Sequence, residues 1–301
     1  MNPAMTQVPD ILCIGSAHWD IIGRTAARMP AGADLPGRIT RLPGGVALNI
    51  AMTLRRLGLR PAILSAIGRD AEGDELVAAC TALGLITDHL HRSPDLPTDR
   101  YMAIEGAGGL VAALADAHSL EAAGAQILRP LADGRLGSPD APWNGPVAID
   151  GNLTAELLAE IAASPLLSAA DLRVAPASPG KAERLRPLLG HPRVTFYVNL
   201  EEAGLICAAR FASATEAARG LLACGANRAL VTNGAAGCAD GRAGDRLLAD
   251  TPPAVAVARI TGAGDAFMAA HLVAELRGAD RPAALTAALR AAAAHVSGET
   301  A

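Results

Sequence analysis

Short apolar runs alternate with longer segments of helical periodicity along most of the chain. The first run, Ile11–Gly15, is apolar throughout, and a helical pattern extends from Val46 to Gly58. Strands that are apolar on both faces and alternate with helices are typical of a parallel sheet covered on each side. We therefore predict an α/β fold with a Rossmann-like, doubly wound and mostly parallel sheet. The other predicted strands are Pro61–Gly68, Val147–Asp150, Leu172–Ala175, Thr195–Asn199, Ala229–Thr232 and Ala254–Ile260, and the other predicted helices are Glu72–Gly84, Thr154–Ala163, Ser213–Gly225, Ala263–Arg277 and Arg281–Val296.

Two segments interrupt this alternation, at about 20–43 and 97–113. Both contain short apolar runs and turn residues, and neither has a helical pattern between its runs. Such runs predict short strands joined by turns. We predict that they form a small β lid on a single α/β domain that spans residues 1–301.

The charge distribution argues against a nucleic-acid or membrane partner. The formal net charge is −4 with no long run of one sign, whereas proteins that bind nucleic acid carry a basic patch or stripe. No apolar segment reaches the ~18 residues that a membrane helix needs, and residues 1–10 lack the basic and apolar regions of a signal peptide. The five cysteines are scattered without a Cys-x-x-Cys motif, which is typical of reduced thiols. We expect a soluble, cytoplasmic protein.

Lysine and histidine add little to the predicted chemistry. Lys181 is the only lysine and lies outside any Gly-x-x-x-x-Gly-Lys phosphate loop, so we expect an ordinary surface residue. His89 and His91 could share one face of a strand, but no third ligand lies near them in the sequence. We predict no metal site there.

The segment Thr261–Ala266, which reads Thr-Gly-Ala-Gly-Asp-Ala, carries the strongest chemical signal. Gly262 and Gly264 would let the backbone approach a ligand closely at a strand-to-helix turn. The unpaired amides of the first helical turn, together with the helix dipole, would form an anion site. Asp265 beside that site could take a proton from a hydroxyl group that attacks a phosphoryl group. The alternative is a plain glycine turn in which Asp265 only caps the helix.

A Gly-Gly pair precedes the helix that begins near Val46. Bare backbone at Gly44 and Gly45 would let a sugar lie close to the chain, and Asn49 could both donate and accept hydrogen bonds. The alternative is a loop-to-helix junction with a solvated Asn49.

Polar residues also follow the first strand, at Ser16, His18 and Asp20. A carboxylate at that strand end could accept hydrogen bonds from two adjacent sugar hydroxyls. The alternative is a surface carboxylate.

Two later strand ends carry candidates for the nucleotide and its metal. Asn199 and Glu202 stand three residues apart, and oxygen ligands of this kind suit Mg²⁺, which binds substrate phosphates and keeps several waters. The same spacing also fits a helix capping box. Thr232, Gly234 and Gly237 could hold the phosphates or ribose of a nucleotide, although a simple turn would have the same residues.

These motifs, in this order, resemble those of the ribokinase-like (PfkB) family of carbohydrate and nucleoside kinases. The resemblance extends from Ile11 to about Val296, and the two glycine motifs together are specific to the family. Within it, the segments Asp34–Ile39, Leu64–Asp70, Asp150–Asn152 and Arg259–Asp265 are similar to those of the pseudouridine kinase group.

The resemblance implies a ribokinase-like fold with a β lid, and ATP with Mg²⁺ as the phosphoryl donor. It implies that Asp265 is the base toward a 5′-hydroxyl and that relatives pair through their lids, so a homodimer is expected. It also implies an anion hole at Gly262, Ala263 and Gly264, and binding of the acceptor by Ser16 and of its ribose by Asp20, Gly44, Gly45 and Asn49. Asn199 and, through water, Glu202 would organise Mg²⁺ and phosphate, and the ATP site would comprise Thr232, Gly234, Gly237 and Thr261. The base would be recognised by His18, Thr98 and Tyr101.

Three positions depart from the family pattern. Arg259 stands where many members have an acidic residue that helps to bind a monovalent cation, so potassium dependence is not expected. His18 replaces a frequent Asn or Gly, and Ala175 replaces a frequent Asp near the phosphates.

We therefore expect an ATP-dependent kinase that phosphorylates the 5′-hydroxyl of a nucleoside, with pseudouridine as the first candidate. A kinase for ribose or another nucleoside is an alternative, and so is a nucleoside-binding sensor without catalysis. A dinucleotide-dependent oxidoreductase is disfavoured, because Gly15-Ser16-Ala17 stands where Gly-x-Gly-x-x-Gly would follow the first strand.

Overall fold

A computed structural model describes residues 8–258 and 261–299, and it centres on an eight-stranded sheet. The strand order, in the labels below, is β14-β13-β12-β11-β10-β9-β1-β4. All neighbours from β12 to β4 run parallel, and the β12-β13-β14 edge is antiparallel. The strands of this sheet are β1 (Ile11–Ile14), β4 (Pro61–Leu64), β9 (Pro146–Asp150), β10 (Asp171–Ala175), β11 (Val194–Asn199), β12 (Arg228–Thr232), β13 (Cys238–Arg242) and β14 (Leu248–Asp250).

Eight α-helices and three 3₁₀ segments are assigned in the described part of the chain. Two apolar clusters fill the space between helices and sheet, one on each face, so the prediction of a doubly wound, mostly parallel sheet is confirmed. The helices are α1 (Val46–Arg56), α2 (Ala71–Ala82), α3 (His118–Ala123), α4 (Ala155–Ala163), α5 (Leu200–Cys207), α6 (Ala214–Ala223), α7 (Ala263–Leu276) and α8 (Arg281–Ser297), and the 3₁₀ segments are Gly124–Leu131, Pro165–Leu167 and Pro179–Leu188.

A second sheet of four strands projects beside the carboxyl end of β1. Its order is β3-β2-β7-β8, and it is made by the segments in which the sequence predicts short strands. A third sheet is the pair of parallel strands β5 and β6. The strands are β2 (His18–Arg24), β3 (Arg38–Gly44), β5 (Ala66–Gly68), β6 (His91–Ser93), β7 (Arg100–Gly106) and β8 (Gly109–Asp116).

Side-chain caps explain where several helices begin. The Asp70 carboxylate accepts from the Gly73 amide at the start of α2, and Asp280 does the same for Ala283 at the start of α8. Thr154 and Ser213 cap α4 and α6 through their hydroxyl groups. A side-chain acceptor for a free first-turn amide is worth about 1 kcal/mol.

Buried charges fasten the far end of α7 to the sheet. Arg173 on β10 and Arg228 on β12 donate to the two carboxylate oxygens of Glu275, each at 2.6 Å. His271 lies between the Tyr197 hydroxyl at 2.8 Å and the Arg228 guanidinium at 3.3 Å. Breaking a buried pair of this kind typically costs about 3–5 kcal/mol.

Two sequence predictions of strands are wrong in part. The run Pro61–Gly68 is two strands, β4 and β5, which belong to different sheets. Residues 254–258 of the predicted strand Ala254–Ile260 form no strand, because they find no neighbour to pair with and lie exposed; Arg259 and Ile260 lie outside the described residues. No helix in the described ranges is long and apolar enough to cross a membrane.

Candidate active site

The carboxyl ends of the parallel strands and the first turn of α7 bring most of the sequence-predicted residues to one edge of the sheet. Ligands bind at this edge in open α/β sheets, because the strand order leaves a crevice there. The charges of three carboxylates at this edge, those of Asp20, Asp150 and Glu202, act on the carboxyl group of Asp265. Like charges this close raise the pKa of that group.

The first turn of α7 presents free backbone amides. Its N-cap residue Gly262 has φ +88°, a left-handed conformation that favours glycine, and it provides no side-chain cap. A Cβ at Gly262 would lie 2.9 Å from the His295 ring, whereas a Cβ at Gly264 would meet no atom within 4 Å. The turn is therefore closed toward α8 by His295 and open in front of Gly264. The Thr261 carbonyl lies 2.8 Å from Nε2 of His295.

Asp265 lies half-buried in this turn. Burial raises the pKa of its carboxyl group to about 7; a hydrogen bond from the Asn49 side chain lowers that pKa, and the charges of Asp150, Asp20 and Glu202 raise it further. A carboxyl group with a pKa near the working pH is suited to accept a proton. The contact with Asn49 links the two glycine-rich motifs of the sequence.

The second sheet adds a cluster of polar groups around Asp20. The Asp20 and Tyr101 positions pair directly across β2 and β7, and the His18 and Tyr101 rings are 6.4 Å apart. His18 Nδ1 lies 3.2 Å from Asp20 Oδ1 without hydrogen-bond geometry, so both buried atoms lack a hydrogen-bond partner. A Cβ at Gly44 would overlap the Asp20 carboxylate. The two unmatched atoms offer a ligand one nitrogen and one oxygen.

Ser16 faces away from this cluster into a buried network. Its hydroxyl donates to Asp150 at 2.7 Å and accepts from the Val46 amide and from Asn152. One donor and two acceptors are the whole hydrogen-bonding capacity of a hydroxyl group. Gly45 lies against the same residue, with φ +102° and no room for a Cβ beside the Ser16 carbonyl. Ser16 therefore orients the loop before α1 and has no group left for a ligand.

Lys181 lies beside the buried network of Asp150 and Asn152. It is half-buried, and its ammonium group donates to Asn152 Oδ1 at 2.5 Å, so the expectation of an ordinary surface residue is wrong. Burial lowers the pKa of Lys181, the nearby Arg184 lowers it further, and the Asp150 carboxylate opposes both effects. The hydrogen-bond partner Asn152 lies 29 residues away in the sequence; the one local signal is that the chain has no other lysine.

Asn199 and Glu202 form the capping box that the sequence left as an alternative. The Glu202 amide donates to Asn199 Oδ1 at 2.9 Å, and the Asn199 amide donates to Glu202 Oε2 at 2.8 Å. Burial raises the pKa of Glu202 to about 7, the Asn199 amide lowers it, and Glu201 raises it. A carboxylate and an amide oxygen form a donor set that fits Mg²⁺ through water, and a cation there would favour the charged form of Glu202.

A cavity of about 950 Å³ lies beside the ends of β11 and β12. Asn199, Thr232 and Gly234 are among its lining residues, and Gly237 is not. A Cβ at Gly237 would instead lie 2.9 Å from the Asp250 carbonyl, so this glycine allows the close approach of β14.

One candidate for recognition of the base makes structural contacts, and one position of the expectation about potassium lies outside the described residues. Thr98 is buried, and its amide and hydroxyl both donate to Asp70, which ties the start of β7 to α2. Arg259, on which the expectation about potassium rests, lies outside the described residues.

Comparison with known proteins gives the family. Residues 8–301 match the model of the pfkB family of carbohydrate kinases, and the chain therefore belongs to that family. The resemblance found in the sequence is confirmed.

Two curated relatives act on nucleosides by name. The pseudouridine kinase of Escherichia coli (strain K12) is 31% identical over 119 residues, which cover 39% of this chain and 38% of that protein. The nucleoside kinase of Methanothermobacter thermautotrophicus is 38% identical over 72 residues, which cover 24% and 23%. The matches thus span well under half the length of either relative.

Solved structures agree with the fold over nearly the whole chain. A carbohydrate kinase from Agrobacterium tumefaciens is 28% identical with a TM-score of 0.77, covering 94% of this chain and 89% of that one. The Arabidopsis thaliana ribokinase complexed with ribose and ATP is 19% identical with a TM-score of 0.74, covering 98% and 95%. The second likeness shows the fold alone.

Proposed function

We propose that this protein transfers the γ-phosphoryl group of ATP to the 5′-hydroxyl of a nucleoside, with pseudouridine as the acceptor. The observation that carries the proposal is Asp265, a carboxyl group with a pKa raised to about 7 in a helix turn of free amides. The pseudouridine acceptor is supported by the 31% identity to a pseudouridine kinase over 119 residues.

In the proposed mechanism, Asp265 accepts the proton of the attacking hydroxyl group. Asn49 holds the carboxylate through its hydrogen bond, so that one oxygen remains for the acceptor. The amides of Gly262, Ala263 and Gly264 then donate to the phosphoryl oxygens as negative charge develops. Fixed donors of this kind are worth roughly 3–4 kcal/mol in other enzymes.

The acceptor is proposed to bind between α1 and the four-stranded sheet. Asp20 accepts hydrogen bonds from two ribose hydroxyls, and Gly44 leaves room for that carboxylate, because a Cβ there would overlap it. His18 and Tyr101 lie next to Asp20 and contact the base. The sheet acts as a lid that excludes water when it closes over the nucleoside.

ATP is proposed to lie along the ends of β11 and β12, beside Thr232 and Gly234. Asn199 and Glu202 would hold Mg²⁺ there, Glu202 through water. When bound, this ion neutralises charge on the phosphates. The chain's own contribution is to fix both oxygen ligands by their mutual hydrogen bonds.

Ribose or another nucleoside is the alternative acceptor, which the short match to a nucleoside kinase favours. ADP release measured with ATP and each of pseudouridine, uridine, adenosine and ribose distinguishes these acceptors. We expect the highest kcat/KM with pseudouridine. A higher kcat/KM with ribose would refute the nucleoside acceptor. A nucleoside-binding sensor would bind one of these compounds in calorimetry and release no ADP.

The substitution Asp265→Asn tests the mechanism directly. We expect kcat to fall by about 10²–10⁴-fold, because the base is lost, while nucleoside binding changes little. Asp140→Asn is the matched control, since Asp140 is exposed and is not one of the residues assigned to the site. Unchanged turnover in Asp265→Asn would refute the role.

The same variant should not be less stable at pH 8. A carboxyl group whose pKa is raised in the folded state, from about 3.9 when unfolded, contributes stability that is present below about pH 4. That contribution is lost as the pH rises through about 7. Removing the charge at pH 8 should therefore keep or raise the melting temperature, so a loss of turnover cannot be assigned to unfolding.

We also propose a homodimer that forms through the lid, in the cytoplasm. The exposed side chains of Ile39, Met102 and Leu114 lie on three strands of the four-stranded sheet, on the face opposite Asp20 and Tyr101. Exposed apolar side chains gathered on one surface favour association with a second protein surface.

A further inference from the structure

A second cavity, of about 410 Å³, lies beside β6 and the 3₁₀ segment Gly124–Leu131. It is separate from the residues assigned to the kinase site. Among the residues that line it in the described ranges there is no carboxylate. Its charged and titratable lining consists of four arginines and two histidines, namely Arg69, His89, His91, Arg92, Arg129 and Arg135.

Only half of this positive charge is balanced by ion pairs. Arg92 pairs with Asp74 at 2.7 Å, and Arg135 pairs with Asp133 at 2.7 Å. Arg69 donates through Nε only to the backbone carbonyl of Arg92. Within the described chain, the Arg129 side chain makes neither a hydrogen bond nor an ion pair. Two guanidinium groups are therefore free to bind an anion.

Two buried polar atoms of the lining also lack partners. His89 is 3% exposed, and its Nδ1 has no hydrogen-bond partner; the same is true of Nε of Arg92. Leaving a buried polar group unpaired costs about 1–3 kcal/mol. Such atoms are expected where a ligand completes the hydrogen bonds.

The lowered pKa values of His89 and His91 agree with a positive potential in the cavity. Burial lowers the pKa of His89 and the charge of Arg135 lowers it further, while Asp88 and Asp133 oppose this. Burial also lowers the pKa of His91, and Arg129 and Arg69 add to the effect.

We propose that this cavity binds a small phosphorylated anion, at a site distinct from the site of phosphoryl transfer. Guanidinium groups bind phosphate oxygens through paired hydrogen bonds, and Arg69 and Arg129 provide the free groups. A concave site of this size fits a phosphorylated metabolite or pyrophosphate. The ligand would join β6, which leads toward the lid through Thr98, to the segment Gly124–Leu131 of the main body.

Calorimetry with pyrophosphate tests the site, with saturating non-hydrolysable ATP analogue present to occupy the kinase site. We expect binding to wild-type protein and roughly 10–100-fold weaker binding to the double variant Arg69→Gln/Arg129→Gln, because two charge-assisted hydrogen bonds are lost. The matched control is Arg219→Gln/Arg290→Gln, which neutralises two exposed arginines that have no partner among the residues the structure describes. This control should bind like wild type.

The proposal would be overturned if pyrophosphate did not bind to wild type, or if it bound equally to Arg69→Gln/Arg129→Gln. It would also be overturned if both double variants weakened binding equally, because net charge alone would then explain the effect. A crystal soaked in tungstate gives the position independently. Anomalous density between Arg69 and Arg129 supports the site, and density only at the first turn of α7 contradicts it. Neither measurement depends on turnover, so the outcome is separate from that of the proposed kinase activity.

Discussion

Burial of the Asp265 carboxyl group favours its protonated form, whereas the proposed reaction needs the deprotonated form. Its raised pKa arises first from burial, and three neighbouring carboxylates strengthen the effect. The protonated form cannot accept another proton. The group is therefore a usable base only when the pH approaches or exceeds its pKa.

This argument predicts the pH dependence of the reaction. Below about pH 7 the fraction of deprotonated Asp265 falls tenfold per pH unit, so kcat/KM should fall with it and should level off above pH 7–8. Initial rates with subsaturating nucleoside between pH 5.5 and 9 measure this profile. A profile that is flat across pH 5.5–8 would contradict Asp265 as the base, as would one that falls with rising pH.

Substitution of Gly264 should lower turnover without lowering the stability of the fold. An alanine Cβ there meets no atom within 4 Å, and alanine favours a helix over glycine by up to about 1 kcal/mol. We expect Gly264→Ala to melt at the same or a higher temperature. Its turnover should fall by about 10–100-fold, because the methyl group enters the space in front of the amides.

Thermal melting and ATP turnover measured on one preparation check this prediction. Gly262→Ala is the comparison, since φ +88° and the His295 ring oppose a Cβ there, and its melting temperature should fall. A fully active Gly264→Ala would mean that the phosphoryl group lies elsewhere.

The sequence predicted candidate chemical roles of single residues better than the hydrogen-bond network that positions those residues. Glycines before helices and a carboxylate beside them predict an anion site from residue type alone. The role of Ser16 was not visible, because its partners Asp150 and Asn152 are more than a hundred residues away. The Asn199–Glu202 pair shows the opposite case, in which one local pattern fits both a cap and a metal site.

At the scale of elements, Asp70 connects a helix to the lid. One oxygen of its carboxylate accepts from the Gly73 amide and the Thr98 hydroxyl, and the other accepts from the Thr98 amide. The start of β7 thus depends on the residue that begins α2. The position of Tyr101 follows from this, since it lies three residues beyond Thr98.

Asp70→Ala should therefore affect both stability and acceptor binding. Loss of the cap should lower the free energy of unfolding by about 1–2 kcal/mol, and a looser lid should raise KM for the nucleoside more than KM for ATP. Asp280→Ala is the control, because Asp280 caps α8 by one hydrogen bond and has no contact with the lid. It should lower stability alone.

Chemical denaturation and nucleoside titration of both variants give the two readouts. Equal KM values for nucleoside in the two variants would show that the tie between Asp70 and Thr98 is only structural.

The elements themselves were predictable to different degrees. The sequence predicted α1 and α7 within two residues of their ends. The apolar face of α1 repeats with the helical period, whereas α7 is buried on all sides from Ala266 to Val273 and its start is marked by the glycine turn before it. The antiparallel strands β13 and β14 were missed. Gly241 and the alternation of Asp240 with small residues hide their pattern, and the buried Asp240 is paired with Arg228. Val255 and Val257 misled the strand prediction because apolar residues can remain exposed.

At the scale of the whole molecule, the exposed apolar face of the four-stranded sheet, with Ile39, Met102 and Leu114, predicts the oligomeric state. Leu114 is 73% exposed beside Met102, its direct neighbour across β7 and β8. We expect a two-fold symmetric dimer, in which the same face meets its copy. Leu114→Lys should shift the protein toward monomers, because a charge would be buried at the contact.

Light scattering coupled to size-exclusion chromatography measures this. Val257→Lys is the matched control, since Val257 is 67% exposed outside the lid and should leave the mass unchanged. A wild-type protein that elutes as a monomer at all concentrations would contradict the dimer.

The charged network at the end of α7 has a consequence for how the length of this helix can change. Arg173 and Arg228 fix Glu275, ten positions after Asp265. The distance and rotation between this anchored residue and Asp265 are therefore set by the number of residues in the helix. One inserted residue between these positions would turn the Asp265 carboxylate by about 100° around the axis and shift it by about 1.5 Å. Insertions and deletions should therefore be rejected inside this stretch and tolerated in the turn that follows Gly278, where the helix has already ended.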